Sequence, residues 1–114
     1  MKNLSIYTID ASFKLIDAIY KIQQNKSREV IVLSKKKVLG ILSEGDILRC
    51  ILKNISLHSS INKHYNKNFK YLNKYNKSKV ILYFSKFNIN LIPVIDNNFK
   101  FEEVITLAEY FKNK

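Results

Sequence analysis

Turn-forming and redox-active residues are scarce in this chain of 114 residues. Gly40 and Gly45 are its only glycines, Pro93 its only proline and Cys50 its only cysteine, and tryptophan is missing. A lone thiol excludes an internal disulfide and a thiolate metal cage, which suits a reducing cytoplasm. Two glycines exclude a Gly-rich phosphate loop. Acidic residues are few as well, nine against twenty basic ones, for a formal charge of +11. No segment approaches the ~18 apolar residues of a membrane span, and Met1-Lys2-Asn3-Leu4-Ser5-Ile6 lacks the apolar core of a signal peptide. The composition points to a soluble, intracellular chain.

The positive charge invites a nucleic-acid reading, because clustered lysines neutralise phosphates and release counterions. Arginine argues against it. Arg28 and Arg49 are the only arginines, whereas base-edge readout favours that side chain. The lysines travel with asparagine instead, as in Asn73-Lys74-Tyr75-Asn76-Lys77, and read as solvated surface. Tyr65, Phe69, Tyr71 and Tyr75 interleave with lysines as in single-strand binders, but such aromatics more often pack an irregular connection. His58 and His64 have no second ligand at metal spacing, so no metal is expected. No nucleophile, base and oxyanion set can be assembled, so the chain alone reads as non-catalytic.

What is present is a repeat. One constant offset carries Val30 to Pro93, Ser43 to Thr106 and Asp46 to Glu109, so strand, turn, strand and helix start recur in order. Two copies of one unit are the simplest explanation. In each copy a run of apolar β-formers ends at Ser43 or Thr106, followed three residues later by an acid, which is a capping box opening a helix. The exposed N–H groups beside the cap suit a phosphate, and the carboxylate of Asp46 could accept from the two hydroxyls of a ribose. A Ser-x-x-Asp at a helix start is nonetheless a cap before it is a ligand site.

The run Val38-Leu39-Gly40-Ile41-Leu42-Ser43-Glu44-Gly45-Asp46 resembles the signature of a CBS domain, and Ile92-Pro93-Val94-Ile95-Asp96 keeps the start of that pattern in the second copy. The resemblance implies an α+β fold of two tandem CBS units, each β-α-β-β-α, packed as a pseudo-symmetric pair, with residues 1–58 as the first unit and 59–114 as a second, degenerate one. It also implies a module that binds an adenine nucleotide (AMP, ADP or ATP) non-covalently in clefts between the halves. The longer series through Arg49, Lys53 to Leu57 and Asn66-Lys67-Asn68 is similar to CBS pairs fused in front of bacterial sugar-nucleotide nucleotidyltransferases; sugar-phosphate isomerases with CBS pairs resemble its first part but match the linker less well. The nucleotidyltransferase likeness implies a C-terminal catalytic domain in the parent protein.

By the same resemblance, the first site takes Ser43 for phosphate or ribose, Asp46 for the ribose hydroxyls, the Val30-Ile31 edge for the base, and Thr8 and Ile9 as lining. Val30 stands where the pattern has Pro, and Leu33 where it has Asp. In the second copy Pro93 and Thr106 are kept. Glu109 replaces Asp and Glu103 replaces Gly, and both bring carboxylate into a half-buried cleft, which disfavours an anionic nucleotide.

Along the chain, Ser12 is placed to cap a helix to Asn25, with Phe13, Ile16, Ile19, Tyr20 and Ile22 facing inward. Strands follow at Arg28–Leu33 and Lys37–Leu42, joined by Ser34-Lys35-Lys36. The helix from Ser43 to Lys53 is apolar almost all round, so it needs partners on more than one side, and a homodimer through the apolar helices is expected. Asn54 to Tyr75 is a polar connection with a short strand at Phe69–Leu72. A helix at Lys77–Asn88, strands at Leu91–Asp96 and Lys100–Ile105, and a helix from Thr106 complete the second copy. Halves of this size bury enough surface only by packing together.

Overall fold

The computed structural model describes residues 3–112. After a 3₁₀ turn at Leu4–Tyr7, the first half runs β1 (Thr8–Asp10), α1 (Leu15–Asn25), β2 (Glu29–Ser34), β3 (Lys37–Ser43) and α2 (Glu44–Leu52). The second half runs α3 (Lys77–Lys86), β4 (Leu91–Ile95), β5 (Phe101–Thr106) and α4 (Leu107–Lys112). In the first sheet β1 pairs parallel and β3 antiparallel with the central β2; in the second, β4 and β5 form a hairpin. Leu72 supplies what is left of the second half's first strand. It makes a parallel bridge to Val94, with its N–H on the Pro93 carbonyl at 3.0 Å and its carbonyl taking the Ile95 N–H at 2.8 Å. Expected strand Phe69–Leu72 is thereby reduced to one residue, because the Phe69 side chain turns into the core between the sheets and Tyr71 stacks on Phe69 and Phe99.

Alternation along the strands sorts the core into three. Val30 and Val32 of β2 face α1 and α2, while Ile31 between them faces β4 and β5. Leu91 and Ile95 meet Ile31, whereas Ile92 and Val94 face α3. Both faces of β2 and β4 are therefore buried, which is why each reads as a continuous apolar run. The hairpin tips interlock as a pseudo-twofold pair: Val38 N–H donates to the Phe99 carbonyl at 2.8 Å and Phe101 N–H to the Lys36 carbonyl at 2.9 Å. The first tip turns without glycine, placing Lys35 and Lys36 at φ 51° and 69°, a conformation that costs a lysine about 1 kcal/mol.

Two local expectations are corrected. Ser12 does not cap α1; its N–H and hydroxyl donate to the Asp10 carboxylate at 2.9 and 2.7 Å, and the helix opens at Leu15 with Asp17 accepting from the Lys14 N–H at 2.9 Å. Because the helix starts later, its buried stripe is Leu15, Ala18 and Ile22, and Phe13 and Tyr20 lie exposed. The connection between the copies completes this helix end. The Ser59 and Leu57 carbonyls accept from Leu15 and Ile16, and Ile61 is fully buried against the first half's core. Gly40 lets the connection dock on β3, since a Cβ there would stand 2.3 Å from the Asn66 carbonyl oxygen. Asn66 and Ile41 exchange backbone hydrogen bonds at 2.8 and 3.1 Å.

Candidate functional site

The cap at the start of α2 is built as its spacing predicts. Ser43 N–H donates to Asp46 Oδ2 at 2.9 Å, and Asp46 N–H donates to Ser43 Oγ at 3.1 Å. The other oxygen, Oδ1, takes Arg49 at 2.7 Å. Arg49 is well exposed, so water screens this ion pair and its energetic weight is small.

Ser43, Asp46 and Arg49 also line a cavity of about 540 Å³ whose opposite wall comes from the connection and the second half. Asn66, Asn68, Phe69 and Lys70 of the connection form that wall together with Phe87 to Leu91 at the entry to β4. Lys70 Nζ lies 4.4 Å above the Phe87 ring centroid, a cation–π contact that holds the aromatic at the cavity edge. A hydroxyl, a carboxylate and aromatic surface thus converge on one concavity of a size suited to a small ligand.

Glu29, at the head of β2, is the site residue that sequence reasoning missed. Its residue surface is 7% exposed. Oε1 accepts the Asn90 N–H at 2.7 Å and the Leu91 N–H at 3.1 Å, tying the first half's sheet to the entry of β4. Burial pushes its carboxyl up to about 6, the two backbone donors oppose this, and nearby Asp46 adds to the rise. An acid heading an otherwise apolar strand was the available signal. The contribution of residues 66–70 and 87–91 had none, because it depends on how the halves dock.

The other predicted residues are dispersed. Thr8 and Ile9 border a separate cavity of about 240 Å³ with Asp10, Lys21 and Lys36. Val30 and Ile31 are fully buried on opposite faces of β2. Pro93 is buried in β4, opposite Val104. Thr106 is 2% exposed; its N–H and hydroxyl both donate to Glu109 Oε1, at 3.1 and 2.9 Å. Glu109 borders a third cavity, of about 1020 Å³, walled by the second half and the end of the connection. Of the first-copy set, only Ser43 and Asp46 share the cavity between the halves. Among the described residues no group of three His, Cys, Asp or Glu side chains could hold a metal ion, and none of the described helices is long and apolar enough to cross a membrane.

Two β-α-β-β-α halves related by a pseudo-twofold, with a cavity between them, decide the architecture. The fold is that of a CBS domain pair. The CBS domain family matches residues 2–53. A CBS domain pair/ACT domain protein from Thermotoga maritima superposes with a TM-score of 0.77 at 18% identity, over 99% of this chain and 95% of that one. A CBS domain protein from Pyrobaculum aerophilum, solved with AMP, gives 0.75 at 14% identity, over 96% and 89%. The CBS domain pair of protein MJ0100, solved with 5′-methylthioadenosine and S-adenosyl-L-methionine, gives 0.74 at 18%, over 93% and 87%. None of the curated proteins compared with the chain matches it.

Proposed function

We propose that this CBS pair is a non-catalytic regulatory module that binds an adenine nucleoside or nucleotide in the cavity between its halves. The observation that carries the reading is the placement of Ser43 and Asp46 on a concavity closed by the second half. Occupancy there bears on both halves at once, so a ligand that fits one arrangement of them better than another shifts the balance between arrangements. The relatives solved with AMP and with adenosyl compounds support the adenine class. In this reading Asp46 exchanges its exposed Arg49 partner for ribose hydroxyls while its other oxygen keeps the cap. Calorimetry with AMP, ADP, ATP and 5′-methylthioadenosine tests it: at least one should bind saturably, and Asp46→Ala should weaken that binding at least about tenfold. Saturable binding by none of them would overturn the proposal.

The attached target proposed for the module is a sugar-nucleotide nucleotidyltransferase, on the likeness of the Ser43 to Arg49 segment and the connection after it. The coding sequence beyond Lys114 checks this directly. A second role, self-association, is favoured by one observation: Leu48, Ile51 and Leu52 of α2 are exposed, Leu52 at 82%. Sedimentation should show a dimer whose dissociation Leu52→Glu promotes; a monomer at high concentration would remove this role.

A further inference from the structure

The cavity between the halves has charged groups of both signs, and their depth differs. Arg28, Arg49 and Lys70 are exposed, Arg49 is bound to Asp46, and Lys70 sits over Phe87. Glu29 is more than nine-tenths buried in the cavity wall, where a charge is far less screened than at the rim. Its Oε1 occupies the Asn90 and Leu91 amides, two backbone donors of the kind that hold a phosphate oxygen. Among the described residues its Oε2 has no hydrogen-bond partner and is not sealed from solvent, so it is left for the cavity. No basic side chain among them pairs with Glu29. An anion entering beside β4 therefore meets a carboxylate where it would need donors.

We propose that Glu29 sets the ligand class of this cavity, rejecting a phosphate chain and favouring an adenosyl compound whose 5′ side carries a positive charge, such as a sulfonium or an alkylammonium. The inference rests on the nucleoside reading of the site. At pH 7.5 Glu29 is ionised, its carboxyl being raised only to about 6. Internal symmetry isolates the feature, because the corresponding position in the second half is the apolar Ile92.

The test is calorimetry at pH 7.5 with S-adenosylmethionine, neutral 5′-methylthioadenosine and AMP against the wild-type chain and Glu29→Gln. Wild type should bind the sulfonium tightest and AMP weakest, with about tenfold or more between them, and Glu29→Gln should shrink that ratio at least about fivefold while leaving 5′-methylthioadenosine within about twofold. Glutamine keeps an oxygen for the two amides, and a retained thermal transition verifies the variant's fold. A second measurement needs no variant. Lowering the pH from 7.5 to 5 protonates Glu29, whose charged neighbours around the cavity are Arg28, Glu44, Asp46, Arg49 and Lys70, so the preference for the sulfonium over 5′-methylthioadenosine should fall. AMP binding wild type as tightly as the sulfonium, or a ratio unchanged by Glu29→Gln, would overturn the inference and leave the nucleoside site standing. Binding by none of the three would remove the site itself and this inference with it.

Discussion

The two halves treat the outer edge of their hairpins differently. On β3 the connection docks through Asn66, and Gly40 supplies the room; at the corresponding place on β5 stands Glu103, whose own carboxylate takes the Val104 N–H at 3.1 Å. The helix caps differ too. Asp46 divides its oxygens between the Ser43 N–H and Arg49, whereas Glu109, one methylene longer, takes both Thr106 donors on Oε1. Duplication preserved the frame while the edges diverged. The divergence gives the first half the docked connection, and through it a cavity wall that the second half's cap does not share.

The contrast at the edge is the largest to break. Gly40→Ala would drive a Cβ into the Asn66 carbonyl and lift the connection from β3, at a cost of about 2–3 kcal/mol. Glu103→Ala, at the exposed counterpart, should stay within about 0.5 kcal/mol. Urea unfolding of both variants checks the pair, and a Gly40→Ala protein as stable as wild type would show that the connection is not held there.

Next in size is the contrast between Glu29 and the apolar Ile92. The folded-state value of about 6 for Glu29 lies above the 4.5 of the free side chain, so the folded chain holds that proton more tightly than the unfolded one. The stability linked to it is complete below pH 4.5 and is lost as the pH rises through 6, a gap worth about 2 kcal/mol at most. Glu29→Gln should therefore be more stable than wild type by about 1–2 kcal/mol at pH 7.5 and level with it near pH 4.5. Thermal melts at the two pH values decide the point; a difference independent of pH would mean that Glu29 does not titrate in the interior.

The caps give the smallest effect and sharpen the functional contrast. Ser43→Ala and Thr106→Ala should each cost about 1 kcal/mol. Ser43→Ala alone should also weaken nucleoside binding, because Thr106 is buried away from the cavity between the halves. Equal losses of binding in both variants would show that the ligand reaches the second cap as well.

Much of this was legible in the chain. The constant offset from Ser43 to Thr106, the apolar runs at Val30 and Ile92, and both capping boxes are local chemistry, and local chemistry recurs wherever the same residues recur. Helix α1 was misplaced at its start because the donors at its end are satisfied by Leu57 and Ser59, far along the chain, and not by Ser12. The candidate site was half legible for the same reason: Ser43 and Asp46 belong to one segment, while Asn66, Phe87 and Asn90 reach them only through docking of the halves.

The amino-acid sequence by itself determined the repeated unit, the strands buried on both faces and the two helix caps, since these follow from periodicity and from side chains bonding to backbone three residues away. Only the tertiary structure decided which cap borders the cavity between the halves, where the connection lies and what Glu29 holds, because those depend on contacts between segments some sixty residues apart, such as Glu29 with Asn90 and Leu91.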